Sequence, residues 1–155
     1  MYFNVSTDAL TKAVTTVNAV ISRRTDVPII SCVEMSVNDV GRMDILGTDL
    51  DVWRGISVTL FGGEAGVVCV DAKALKDTLR SLPKGTSVMG TLESYTVMQG
   101  EERTKYRLRL ECEGDSTTLA VMEGEFPHPK PPAWDHCFTV TPQCAYRFFG
   151  KTEKF

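Results

Sequence analysis

Asp135, His136 and Cys137 stand side by side, and His128 and Cys144 are near them along the chain. Imidazole, thiolate and carboxylate are what zinc takes as ligands and what a nucleophile and its base are made from. The spacing argues against both uses. No paired CxxC or comparable tetrahedral pattern is present, and no third group is marked out to orient a Cys–His pair. Asp49 and Asp51 suggest paired carboxylates, but beside Gly47 and between two strands they read as turn formers. Gly62-Gly63 lacks the lysine and Ser/Thr of a phosphate loop and reads as a hairpin loop. The sequence therefore predicts no catalytic residue, no metal site and no cofactor.

What remains as chemistry is positive charge at helical spacing. Lys73, Lys76 and Arg80 fall on one side of a helix whose other side is Leu75, Leu79 and Leu82, and Lys84 follows. Lys12 and Arg23 fall opposite Leu10, Val14 and Val17 when the chain turns about 100° per residue. Arg147, with Lys151 and Lys154, falls opposite Ala145, Phe148 and Phe149. The overall net charge is −3. Residues 7–24 carry +2 (Asp8, Lys12, Arg23, Arg24), residues 73–84 carry +3, and residues 143–155 carry +2, leaving −10 elsewhere. A basic helical face on an acidic protein attracts a polyanion to one side and repels it from the rest. Against this stands the ordinary use of Lys and Arg as solvated helix formers.

The elements that position these charges are repeated. Phe3-Asn4-Val5-Ser6 runs into Ala9-Leu10 and on to Val17, and Cys69-Val70-Asp71 runs into Ala74-Leu75 and on to Leu82. Val5 matches Val70, Ser6 matches Asp71, and Val14 matches Leu79. A third copy opens at Phe138-Thr139-Val140-Thr141. Ser6 and Asp71 are N-cap residues by type, able to accept from the free amides of the first turn. Repetition at this length points to stacked supersecondary units.

Taken in order, the sequence predicts a strand over 1–5, a helix over 7–22, strands over 29–37, 42–46 and 52–60, and a loose seam over 61–66. The second half predicts a strand over 67–70, a helix over 73–82, a hairpin of 87–92 with 95–98, a strand over 106–112 with Tyr106, Leu108, Leu110 and Cys112 facing in, and a strand over 117–122. The expected fold is α+β: two β-α-β-β-β repeats, about 1–61 and 66–125, with sheets outside and two helices on the inner face. Residues 126–136, with four prolines in 127–132, are expected to be a Pro-rich linker, and 137–155 the first strand and helix of an incomplete second domain. An apolar fraction of 43% and a charged fraction of 24% are those of a soluble globular chain. Five cysteines without close pairs fit a reducing, cytoplasmic setting.

These residues resemble the N-terminal domain of the bacterial sliding clamp, the DNA polymerase III beta subunit. Met1-Tyr2-Phe3-Asn4-Val5 is similar to the family's opening strand. Arg24 with Val27-Pro28-Ile29-Ile30 is similar to its Arg-x-x-x-Pro-Ile segment, and Gly47-Thr48-Asp49-Leu50-Asp51 to its Gly-Thr-Asp-Leu-Glu motif. Phe126-Pro127 and Trp134 resemble the exit from its first domain. The resemblance implies a non-enzymatic processivity subunit: a ring-forming oligomer, helices lining the hole, encircling double-stranded DNA without reading bases. It implies partnership with the replicative polymerase and clamp loader through parts absent from these 155 residues, and no membrane. It places Arg24 on the DNA side. Arg23, Lys12, Lys73, Lys76, Arg80 and Arg147 join it as DNA-binding candidates from face geometry. Because the family chain has three domains, the resemblance also implies an N-terminal part of a longer clamp. The alternative is a truncated relative that binds or inhibits a full clamp or polymerase as a protein-interaction module.

Overall fold

Val5-Ser6 and Val70-Asp71 each close a strand and open a helix, and the local reason is the same in both. Ser6 Oγ accepts from the Ala9 amide at 3.5 Å, and Asp71 Oδ1 accepts from the Ala74 amide at 2.7 Å. Each cap fills one of the amide donors that a helix start leaves open. The computed structural model describes residues 1–22, 26–99 and 101–129, and all that follows concerns these. The order is β1 (Tyr2–Ser6), α1 (Thr7–Val17), a 3-10 turn (Pro28–Ser31), β2 (Cys32–Val37), β3 (Arg42–Thr48), β4 (Trp53–Thr59), β5 (Gly62–Glu64), β6 (Gly66–Asp71), α2 (Ala72–Ser81), β7 (Ser87–Gln99), β8 (Glu101–Cys112) and β9 (Asp115–Ala120). Among the described residues no helix is long and apolar enough to cross a membrane.

The strands form two antiparallel sheets, β5-β1-β7-β8-β9 and β4-β3-β2-β6. The α+β reading with two helices and two sheets holds, but the halves are interlocked. β1 pairs with β7 of the second repeat, Phe3 opposite Gly90, and β6 pairs with β2 of the first, Val70 opposite Val33. Each repeat thus lends its first strand to the other's sheet. A β-carbon at Gly90 would run into the Phe3 ring, so the glycine is what lets that buried ring lie across β7. One core joins both sheets and both helices: Phe3 and Val5 from β1, Leu10, Val14 and Val17 from α1, Val33 and Met35 from β2, Leu75 and Leu79 from α2, and Leu108 and Leu110 from β8.

Several expectations are corrected. α1 stops at Val17, not Ser22; the next amides bond back three residues, Ala19 to Thr16 and Val20 to Val17. Thr16 Oγ1 already competes for the Lys12 carbonyl, and Ile21 must tuck against β3. A β-carbon at Gly47 would lie 2.6 Å from Val17 Cγ1 and 2.9 Å from Ile21 Cδ1. The strand expected from Ile29 begins at Cys32, because Pro28 opens a 3-10 turn closed by Ser31 Oγ on the Pro28 carbonyl at 2.7 Å. The loose seam contains β5, which supplies β1 with its second neighbour, Phe3 opposite Gly63. Without it the β1 edge would carry unpaired peptide groups.

The hairpin expected inside 87–98 is one 13-residue strand, reversing only where Gln99 faces Glu101. β1 covers β7 only to Thr91 and β9 covers β8 only from Arg107, so the rest projects as a two-stranded ribbon. Tyr106 lies on that ribbon and is 45% exposed, not inward. Asp49 closes the turn after β3 as its type suggested, accepting from the Asp51 and Val52 amides. Phe126, placed in the linker by sequence, is buried against Cys32 and Cys69. The third copy over 137–155 and most of the linker lie outside the described residues.

Candidate nucleic-acid interface

α1 and α2 pack against each other and against the same core. The first turn of α1 meets the segment after α2: Thr7 N–H donates to the Thr86 carbonyl at 3.0 Å, and Asp8 Oδ2 accepts from the Gly85 amide at 3.0 Å. At the other end a cleft of about 340 Å³ is lined by Asn18, Ile21 and Ser22 beyond α1 and by Asp71, Ala72 and Lys73 at the start of α2. The pair therefore runs antiparallel. Its buried residues (Leu10, Ala13, Val14, Val17; Ala72, Leu75, Leu79) face the core, and Lys12 lines a groove with Ala9 and Thr16 of α1 and Ile56 and Val58 of β4.

Lys12 is exposed at the middle of α1, Lys73 and Arg80 are exposed on α2, and Lys76 is half-buried on its flank. Spacings of three and four residues put the α2 cations on one side of the helix. None of these four side chains forms an ion pair with a described residue. Four same-sign side chains without counter-charges leave a field that mobile anions or phosphates must neutralise. Arg80 in the last turn of α2 also complements that helix's C-terminal end.

The two helices are less alike than the sequence suggested. Within Thr7–Val17 the charges are Asp8 and Lys12, so α1 itself is neutral; the +2 of residues 7–24 came from Arg23 and Arg24. The helical register that grouped Arg23 with Lys12 does not extend past Val17. Arg23, Arg24 and Arg147 lie outside the described residues. The sequence turned Leu108 and Leu110 inward and so Arg107 and Arg109 outward, but did not extend them into a second basic row. Arg103, Lys105, Arg107 and Arg109 alternate along β8 on the face away from the core, opposite Val97, Tyr95, Glu93 and Thr91. Here acids intervene: Arg107 Nε lies 2.8 Å from Glu93 Oε2, and Arg109 reaches Glu93 at 3.6 Å and Glu111 at 2.6 Å. The signal was present as i, i+2, i+4 alternation, but its pairing depends on register.

Cys32 and Cys69 are not poised as nucleophiles. Burial raises Cys32 and Cys69, Cys69 to about 12, so both stay protonated at neutral pH. Among the described residues no three metal-ligating side chains converge. His128 pairs with Glu34 at 3.3 Å; Asp135, His136, Cys137 and Cys144 lie outside the described residues.

A sequence model of the family described as DNA polymerase III beta subunit, N-terminal domain, matches residues 1–116. The chain belongs to that family. It is 26% identical over 126 residues to the beta sliding clamp of Haemophilus influenzae, covering 81% of this chain and 34% of that one. To the beta sliding clamp of Pseudomonas aeruginosa it is 29% identical over 125 residues, covering 80% and 34%. The crystal structure of the DNA polymerase III subunit beta from Pseudomonas aeruginosa superposes with a TM-score of 0.78 at 25% identity, over 95% of this chain and 37% of that one. The sliding clamp of Caulobacter crescentus gives 0.70 at 25% identity, over 86% and 34%. The chain thus spans about a third of the length of these relatives.

Proposed function

We propose that the chain supplies the DNA-facing helix layer of a sliding clamp, a non-catalytic processivity subunit for a replicative polymerase. The observation that carries this reading is Lys12 on α1 and the row of Lys73, Lys76 and Arg80 on α2, without an ion-pair partner among the described residues, on two adjacent helices of a chain of the beta-subunit family. Contacts of that kind bind phosphates without distinguishing bases. Screened by salt and spread over several long side chains, they hold a duplex while letting it slide. Arg23 and Arg24 extend the face in this reading, and Arg147 belongs to the next helix along the ring. Residues 1–125 form the first clamp domain, and 137–155 open a second.

Tethering by topology requires a closed ring, so the isolated chain binds duplex weakly and its affinity falls steeply with salt. The test is mass in solution by light scattering, with and without nicked circular duplex. A closed oligomer retained on circles and lost when they are linearised supports a working clamp. A species that binds linear and circular duplex alike, with no salt dependence, overturns the reading. A stable complex with a full-length clamp, formed without DNA and unaffected by charge reversal on α2, favours the protein-interaction module instead.

A further inference from the structure

The segment after β9 is bound down along its length. Met122 N–H donates to the Cys69 carbonyl at 2.8 Å. Phe126, 3% exposed, sits between Cys32 and Cys69, with Ile29, Leu46 and Met122 around it. Trp53 Nε1 donates to the Pro127 carbonyl at 3.0 Å. His128 Nε2 lies 3.3 Å from Glu34 Oε2, and its ring meets Phe126 edge-on at 6.0 Å between centroids. Residues 122–128 are thus a strap across the outer face of the four-stranded sheet, on the side away from the helices.

Glu34 is the unexpected residue beneath it. It sits in the middle of β2, opposite Leu46 of β3 and Cys69 of β6, and is 8% exposed. A carboxylate withdrawn from water there is costly unless a cation meets it. The groups facing it are Cys69 from β6, Cys32 from its own strand, Leu46 from β3 and His128 from the strap; Asp71, at the end of β6, acts on Cys32. Among the described residues His128 is the group that meets this carboxylate, as a cation only when it is protonated.

We propose that Glu34 and His128 form a proton-operated latch, which holds the strap down while the pair carries a proton and loosens it once that proton is lost, uncovering the Cys32 and Cys69 thiols. With no proton on either group, Glu34 is left as a buried carboxylate without a counter-charge. Burial raises the Glu34 pKa, with His128 pulling it back. The docked state therefore holds that proton more tightly than the undocked state, and docking weakens as pH rises. Acid does not open the strap, because a neutral carboxyl needs no counter-ion. The latch is independent of DNA and of ring closure.

The experiment is pulsed alkylation of the 155-residue chain with iodoacetamide across pH, with each cysteine quantified by peptide mass spectrometry. Cys112, buried elsewhere in the core, is the internal reference that cancels the reagent's own dependence on thiolate. The Cys69-to-Cys112 ratio rises roughly fivefold from about pH 5.5 to about pH 8.5, the size expected of a half-exposed pair. His128→Gln brings the ratio at low pH up to the alkaline value, and Glu34→Gln makes it flat. Phe126→Ala gives a high ratio throughout and marks the open strap. A flat ratio in the unaltered chain overturns the latch, and so does a His128→Gln protein with native circular dichroism and an unchanged profile.

Discussion

Two faces of this molecule carry rows of arginine and lysine, and they are built on opposite terms. On the helix pair, Lys12, Lys73, Lys76 and Arg80 have no acid partner among the described residues. On the five-stranded sheet, Arg107 and Arg109 are braced by Glu93 and Glu111, and Arg107 also lies over the Tyr95 ring at 5.6 Å. The residue types are the same; the difference is what the backbone period places next to them. A helix stacks residues three and four apart, and in α2 that row is Lys73, Lys76 and Arg80. An antiparallel pair sets each residue against a cross-strand neighbour, and β7 offers Glu93 there. The first arrangement leaves charge available to a phosphate backbone, whereas the second consumes it in holding the hairpin together.

That contrast can be broken at several levels. The largest effect is on the support of the helix face. Leu75→Ala empties a fully buried site beneath α2 and costs about 2–5 kcal/mol in urea unfolding, and the proposed DNA binding is lost with the fold. Next, Lys73→Gln, Lys76→Gln and Arg80→Gln together keep the fold and lower the slope of log affinity against log salt by roughly 2–3. The paired change Arg107→Gln with Arg109→Gln leaves that slope where it was, and a shift equal to that of the helix triple would erase the distinction between the faces.

The caps sharpen the comparison between the repeats. Asp71→Ala loses a 2.7 Å bond and costs about 1 kcal/mol, near the middle of the N-cap range. Ser6→Ala loses a 3.5 Å contact and costs less, about 0.5 kcal/mol. Thermal melts of the two variants should rank in that order. Smallest of all, Arg107→Gln alone removes an exposed pair and changes stability by less than about 0.5 kcal/mol.

The candidate site was legible on α2, where Leu75 and Leu79 settle which side is buried and Lys73, Lys76 and Arg80 follow. It was only half legible on α1. The apolar positions Val17, Val20 and Ile21 continue the helical stripe in sequence, yet Gly47 draws Val17 and Ile21 against β3 and the helix ends first. The basic row of β8 was visible as alternation, but whether its charges were spent could be known only from the register that sets Arg107 against Glu93.

What the sequence determined by itself is what a period of two or 3.6 residues can encode: the two caps, the buried stripes of Leu10, Val14, Leu75 and Leu79, and the alternation of Leu108, Leu110 and Cys112. These depend on neighbours a few residues away. The tertiary structure alone decided that β1 joins β7 while β6 joins β2, that Gly62–Glu64 is a strand, and that Phe126 folds back over Cys32 and Cys69. Each of those outcomes is a choice of partner for an open sheet edge or an uncovered apolar face. Such choices follow from which edges and faces remain unsatisfied once the core has formed, a property of the assembled sheets and not of any one stretch of chain.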